Sequence, residues 1–460
     1  MSALAEVLRE WIPHQRWFGG KGREWAGIEE QGFLIDRAGP VLSVHRVQIT
    51  YTDGGTETYL VPLSWREHQV EELASAYVGV VVNADQAGAQ REIHAYDALR
   101  DREATPPWLV HLAAGATVGP LRFSPTEDTA IPHGLPGDII STEQSNTSLV
   151  YGSEAILKLY RRLEPGLNPD VEILSALSSA DNEHIAPLLG YAEIADADPG
   201  NEPATIAMLQ AFVPNASDGW RLATASVRDL YAEADLHADE VGGDFAADSE
   251  RLGTATASVH ADLARVLPTE AADRAWFEAT AAEMTERLEA ALPVVPQLAE
   301  HAEGLRRLYA VLAATDEPVR RQRVHGDYHL GQVLRTATGW IILDFEGEPA
   351  RPLAARRGLD SPLRDVAGML RSFDYAARHM LAEQPENAQR AYRAQEWAER
   401  NRSAFCAGYS AASGLDPCGD SPVLRAFEAD KAVYECLYEA RNRPHWLMIP
   451  LQSLARLSGR

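Results

Sequence analysis

The segment that most restricts this chain is residues 324–349, VHGDYHLGQVLRTATGWIILDFEGEP. QVLR and WIILDF are short apolar runs separated by Thr336–Gly339, a pattern that predicts a β-hairpin. Asp327 and Gln332 precede the first run and Asp344 ends the second, so the hairpin brings all three to one end. Two carboxylates and an amide oxygen without a cysteine form a hard-oxygen site, better suited to Mg2+ than to zinc. An Asp beside such a site is what phosphoryl transfer to a hydroxyl uses. One acid orients the alcohol and another holds Mg2+ on the nucleotide. HGD alone could simply close a turn, and DFEGEP alone could end a strand. The combined spacing carries the chemistry.

A nucleotide triphosphate also needs cations and donors. Lys158 lies mid-strand in EAILKLYR with apolar neighbours, an unusual place for a lysine whose ammonium lacks a partner. Glu172, on the next helical segment, is a candidate ion-pair partner that would position it. The stretch Glu143–Ser148 precedes the SLVYG strand and stands where a phosphate-covering loop would be. It has no glycine, so Ser145, Asn146 and Thr147 would supply hydroxyl and amide donors instead. Taken alone, the stretch reads as a polar turn.

Composition narrows the partners. Forty-two basic against 67 acidic residues leave a net charge of −25, which disfavours binding to a phosphate backbone, so no nucleic-acid partner is expected. No run reaches the ~18 apolar residues of a membrane span, and the start MSALAEVLREWIPHQRW has no signal-peptide pattern, so no membrane is expected. Cys406, Cys418 and Cys436 show no CxxC. They fit a reducing cytoplasm and read as buried or incidental.

The length suits two or three domains at roughly 100–200 residues each. Residues 1–90 read as a mixed segment: a helix at 4–11, the Gly-rich loop WFGGKGR and strands around the turn signal at Tyr51–Gly55. Residues 91–212 begin with a helix at REIHAYDALRD and continue with strands SLVYG, EAILKLYR, IAPLLGY and TIAMLQAFV around the helix PDVEILSALSS. Residues 213–460 read as almost wholly helical. Leu252, Ala255, Val259, Leu263 and Val266 form one apolar stripe there. The expected class is α+β, with a mixed N-terminal lobe and a helical C-terminal lobe. Asp365, at the start of an apolar helix, is a candidate buttress of the HGD loop, with helix capping as the alternative. His325 and His329 are read as hydrogen-bonding residues of that loop.

HGDYHLGQ and DFEGEP resemble the aminoglycoside phosphotransferase and eukaryotic-like kinase superfamily, in which HGDxxxxN precedes a metal-binding Asp. More narrowly, EQSNTS, AILKLYRRLEPGLNPDVE, DEVGGDFAADSERLG, DSPLRDVAGMLRSFDYAA and DKAVYECLYEARNRPHW are similar to actinobacterial maltokinases. The similarity runs from about residue 140 to the end and returns in HQRWFGGKGRE and YTDG. Residues 64–135 and 181–205 show no match.

The resemblance implies a bilobal kinase-like fold in which an N-terminal cap subdomain completes the first lobe. It also implies ATP-dependent phosphorylation of maltose at its anomeric hydroxyl, feeding α-glucan synthesis from trehalose, with trehalose synthase as a possible partner. Asp327 would be the base, Gln332 and Asp344 would hold Mg2+ with ATP, Lys158 would contact phosphates and Glu172 would orient it. Gln332 replaces the superfamily's usual Asn, and Tyr328 stands where the resemblance leads one to expect Leu. The alternatives are a kinase for another small sugar or aminosugar, such as glucosamine, and a non-catalytic scaffold for trehalose synthase.

In the helix DKAVYECLYEARNRPHW, Ala432, Val433, Cys436, Leu437 and Ala440 fall on one apolar side. Lys431, Tyr434, Tyr438 and Arg441 fall opposite, with Glu435 and Glu439 beside them. Rings and charges together suit a pyranose. These four residues and Glu346 are the expected sugar contacts.

Overall fold

The computed structural model describes residues 2–84, 90–127, 129–140, 146–196, 200–233, 235–349, 351–382 and 387–459. Contacts divide the chain into two units, residues 1–175 with 186–214, and residues 176–185 with 215–460. The first unit is rich in β-structure and the second is mainly helical, as expected for the α+β class.

Strands Trp25–Asp36, Val41–Tyr51 and Thr56–Arg66 pair antiparallel in sequence order. The Tyr51 turn closes as expected, with the Gly54 N–H donating to the Tyr51 carbonyl at 3.0 Å. Inward residues Val47, Ile49, Tyr59 and Val61 pack with Leu4 and Leu8 of the helix Ala3–Trp11. The expected helix at REIHAYDALRD is not formed. Residues Gln90–Asp97 are a strand between Thr56–Arg66 and Tyr77–Ala84, so this sheet extends past residue 90. Two open strand edges supply backbone partners that outweigh local helix propensity.

A second, seven-stranded sheet contains the expected strands. Asn146–Tyr151 and Ala155–Tyr160 form a hairpin pair, and Ala204–Ala211 lies on the other side of Ala155–Tyr160. Leu149, Leu157, Leu159, Ile206 and Leu209 bury against Trp108 and Leu112 of the helix Pro106–Ala114. The helix Pro169–Ser179 forms where PDVEILSALSS predicts it.

In the second unit, the helix Ala246–Val266 buries the expected Leu252, Ala255, Val259 and Leu263. It meets the helix Ala388–Ser413 at backbone distance. A Cβ on Gly253 would stand 2.0 Å from the Phe405 carbonyl oxygen, and one on Gly408 would stand 1.9 Å from that of Glu250. The helix Leu363–Ala382 is buried continuously from Asp365 to Ala377, so even its charged residues must find internal partners.

The cysteine reading needs correction. Cys406, on the Ala388–Ser413 helix, and Cys418, in the turn that follows, form a disulfide with Cα atoms 5.9 Å apart. Chain reversal after the helix brings them together, which spacing alone does not reveal. Cysteine usage therefore no longer argues for a reducing compartment. Cys436 is buried. No helix among the described residues is long and apolar enough to cross a membrane.

Candidate active site

The predicted hairpin forms, Val333–Arg335 against Trp340–Ile342, with Val333 opposite Ile342. The Leu343 N–H then donates to the Gln332 carbonyl at 2.9 Å, which extends the pairing to the end that carries the polar residues. Gln332 Nε2 donates to Asp344 Oδ2 at 2.8 Å. Asp344 has φ +65°, a left-handed conformation that Asp tolerates better than most residues, and it turns the chain out of the strand. A carboxylate oxygen of Glu346 lies within 4.8 Å of one from Asp344. Asp344 and Glu346 therefore bring carboxylate oxygens together, and Gln332 is tied to the same point through its amide nitrogen. Glu346, expected to touch sugar, stands beside Asp344.

Asp365 organises the HGD loop. It accepts from the backbone N–H groups of His325 at 2.7 Å and Gly326 at 2.8 Å, and it faces His260 Nε2 at 3.1 Å. This supports the buttress reading of Asp365. His325 Nε2 donates to the Leu343 carbonyl at 2.8 Å, and its Nδ1 accepts from the Asp327 N–H at 3.3 Å. Those partners occupy both ring nitrogens and leave no role for His325 as a base. Gly326 has φ +83°, and a Cβ there would press to 3.2 Å from Gly347 Cα, so glycine is required between His325 and Asp327. Tyr328 is buried, with its hydroxyl 2.8 Å from Thr256 Oγ1. A leucine could not make that bond, which accounts for the tyrosine at this position.

Asp327 Oδ1 lies 3.0 Å from Lys431 Nζ, and about a quarter of its side chain is exposed. Burial alone would raise its pKa, but the Lys431 ammonium outweighs burial and holds the carboxyl below the usual range. His329 Nδ1 accepts from the Gly331 N–H at 3.0 Å, and burial lowers its pKa and favours the neutral ring. The carboxylate at Asp327 is thus ionised under ordinary conditions and able to accept a hydrogen bond from a hydroxyl.

Asp327 and Lys431 line a recess of about 30 Å³ together with Tyr434, Glu348, Arg364 and Asp430. Tyr434 bonds to the Glu348 carboxylate; burial and then this negative charge push the phenol pKa up to about 12. The sequence reading did not single out Glu348, although it lies in the same DFEGEP segment. Tyr438 and Arg441 do not line the recess. Tyr438 is exposed under the Arg443 guanidinium, 5.3 Å from its ring centre, and Arg441 is exposed.

The expected position of Glu435 and Glu439 beside the sugar-facing residues is also corrected, because both are buried. Glu435 Oε2 accepts from Arg371 Nη2 at 2.6 Å, and Glu439 Oε1 accepts from the Tyr375 hydroxyl at 3.0 Å. A neighbouring helix with its own buried arginine turns that side of the helix into core.

In the first unit, Lys158 is buried and its Nζ lies 3.1 Å from Asp170 Oδ2. Asp170 is fully buried in the first turn of the helix Pro169–Ser179, two residues before the expected Glu172. The sequence reading missed Asp170. Its signal was a second carboxylate in the same helix turn. Asn146 and Thr147 open their strand opposite Tyr160 and Leu159. Strand alternation puts Thr147 on the face away from Lys158, and puts Asn146, opposite Tyr160, on the Lys158 face. The Thr147 hydroxyl instead accepts from Arg161 Nε at 2.9 Å. Ser145 lies outside the described residues.

A charge variant tests the Asp327–Lys431 pair. Lys431→Met removes the cation that most lowers the Asp327 pKa. The acid limb of kcat/KM should then move to higher pH, because a carboxyl with a raised pKa is already protonated at milder acidity. A pH profile with an unmoved limb would show that Lys431 does not set the ionisation of Asp327.

Residues 11–101 match the family described as the maltokinase N-terminal cap domain, and residues 229–403 match the APH phosphotransferase enzyme family. A glucosamine kinase from Streptacidiphilus jiangxiensis is 31% identical over 334 residues, covering 69% of this chain and 72% of that protein. A glucosamine kinase from Mycolicibacterium smegmatis (strain ATCC 700084 / mc(2)155) is 29% identical over 334 residues, with coverage of 69% and 78%. A solved glucosamine kinase (crystal form B) superposes with a TM-score of 0.72 at 24% identity over 99% of both chains. A glucosamine kinase in complex with glucosamine, ADP and inorganic phosphate gives a TM-score of 0.69 at 24% identity over 98% of both. The fold is kinase-like.

Proposed function

We propose a function from one premise: the chain belongs to the family of sugar phosphotransferases that join a maltokinase-type N-terminal cap to an APH phosphotransferase domain. The reaction is transfer of the γ-phosphoryl group of ATP to a hydroxyl of glucosamine. The observation that carries the amino-sugar reading is the Glu348 carboxylate, which shares the lining of one recess with Asp327. A carboxylate there suits the ammonium of an amino sugar while Asp327 receives the hydroxyl proton. The recess has room for about one water, so the sugar would lie across its mouth.

The roles follow from the contacts. Asp327, kept ionised by Lys431, orients the attacking hydroxyl and accepts its proton. Tyr434 holds the Glu348 carboxylate. Gln332, Asp344 and Glu346 fit Mg2+ by their oxygen-only chemistry, with the Gln332 amide able to turn its oxygen inward. When bound, Mg2+ neutralises charge on the ATP phosphates. Lys158, fixed by Asp170, contacts those phosphates.

Glu348→Gln should raise the glucosamine KM on the order of tenfold to a hundredfold. That corresponds to losing one charge-assisted hydrogen bond of ~1.5–3 kcal/mol. Turnover of an uncharged sugar should change little. Equal losses on glucose and glucosamine would refute the ammonium contact.

A second reading is maltose, to be phosphorylated at its anomeric hydroxyl. The cap-family match at residues 11–101 favours it, and a trehalose synthase partner belongs to this reading. Its expected wall is weakened because Tyr438 and Arg441 stand away from the recess. ATP turnover with glucosamine, maltose and glucose separates the readings. The glucosamine reading expects the highest kcat/KM on the amino sugar. A maltose preference would replace it, and no turnover on any sugar would leave the scaffold alternative.

A further inference from the structure

A cavity of about 380 Å³ in the first unit has an unusual lining. Its inner end is Arg161, which is 1% exposed. Arg161 Nη2 donates to both Asp97 oxygens at 2.8 and 3.0 Å, and Nε donates to Thr147 Oγ1 at 2.9 Å. The guanidinium also stands over the Trp17 ring, 5.1 Å from its centre. Nη1 is buried, and no hydrogen-bond acceptor among the described residues reaches it. A buried donor without an acceptor is costly, and a native site usually satisfies it with a ligand or water.

The mouth of the same cavity carries the exposed side chains of Arg16 and Arg100, with His14 beside them. Three arginines against the single carboxylate of Asp97 give a cationic pocket in a protein whose net charge is −25. Such a local reversal attracts an anion. Guanidinium forks match phosphate oxygens geometrically, and they keep their charge at every working pH. Trp17 and Ile139 supply an apolar wall, so there is room for more than a bare phosphate.

We infer that this cavity binds a small phosphate-bearing anion, with Arg161 Nη1 meeting the phosphate and Arg16 and Arg100 closing over it. The two sources of that chemistry are free phosphate and a sugar phosphate. The inference goes beyond the proposed reaction and does not depend on it, because the test reads binding.

The experiment is calorimetric titration of the full chain at fixed ionic strength, with a non-hydrolysable ATP analogue saturating the nucleotide site. Inorganic phosphate, glucose 6-phosphate and glucose are the probes, with chloride as the ionic control. The double variant Arg16→Ala, Arg100→Ala is compared with the unaltered protein. Arg161 is left in place because its pair with Asp97 is buried. Phosphate or glucose 6-phosphate should bind at one site, glucose and chloride should not, and the double variant should lose at least about tenfold in affinity. Tighter binding of glucose 6-phosphate would identify the sugar phosphate as the ligand, and equal affinities would identify free phosphate. No heat with either phosphate probe, or an affinity the double variant leaves unchanged, would overturn the inference. Sugar turnover by the double variant at saturating ATP without added phosphate should match that of the unaltered protein.

Discussion

Asp327→Asn is expected to lower turnover by at least about 10²-fold while nucleotide binding persists. The amide keeps the shape of the side chain but cannot accept a proton. In the folded chain the carboxylate lies 3.0 Å from the Lys431 ammonium and is held below the usual carboxyl pKa, first against burial and by that cation. The ionised form is therefore the resting form, and it is lost in the variant. Gln332, Asp344 and Glu346 are untouched, so titration with an ATP analogue should give a near-normal affinity. Near-normal turnover in the variant would remove Asp327 from the role of base.

Asp365→Ala is expected to have the largest effect on stability. The carboxylate is 1% exposed and receives the N–H groups of His325 and Gly326 as well as His260 Nε2. Alanine leaves two buried amides and a buried ring nitrogen without an acceptor, at ~1–3 kcal/mol for each orphaned group. A marked fall in the denaturation midpoint should result. Asp365→Asn is the milder variant, because it keeps one acceptor oxygen. It should remain folded and show lower kcat with little change in the ATP KM, since Asp365 positions the loop and touches no substrate.

The pH dependence has a definite sign. Burial alone would raise the Asp365 pKa, but His260 and the backbone donors reverse this and bring it below the usual value. Its stabilising contribution is therefore complete above the ordinary carboxyl pKa of about 4 and disappears only as the pH falls through the lowered folded value. Both Asp365 variants should lack this acid-dependent component. An alanine variant as stable as the unaltered chain, or an asparagine variant with full kcat, would show that the loop does not depend on this carboxylate.

The hairpin end shows what local pattern can specify. QVLR and WIILDF each have the length, the branched residues and the turn between them that fix both pairing and register, so the meeting of Gln332 with Asp344 follows from the chain itself. The stripe Leu252, Ala255, Val259 and Leu263 was legible for a similar reason, because a 3.6-residue period needs no distant partner. REIHAYDALRD was misread because the preceding strand Tyr77–Ala84 and the strand Thr56–Arg66 captured it. Cys406 and Cys418 depend on a chain reversal that spacing does not encode.

By itself, the sequence determined the α+β class, the HGD hairpin that joins Gln332 to Asp344, and a mid-strand lysine at 158 for which an ion-pair partner was expected. Only the tertiary structure decided that this lysine meets Asp170, that Lys431 faces Asp327, that Glu435 and Glu439 belong to the core, and that Glu348 rather than Tyr438 lines the recess. The physical reason is range. Strand and helix periods are set by neighbours along the chain, so they can be read there. Which carboxylate a buried cation reaches depends on packing between segments far apart in sequence, where one helix turn moves a side chain from solvent to core.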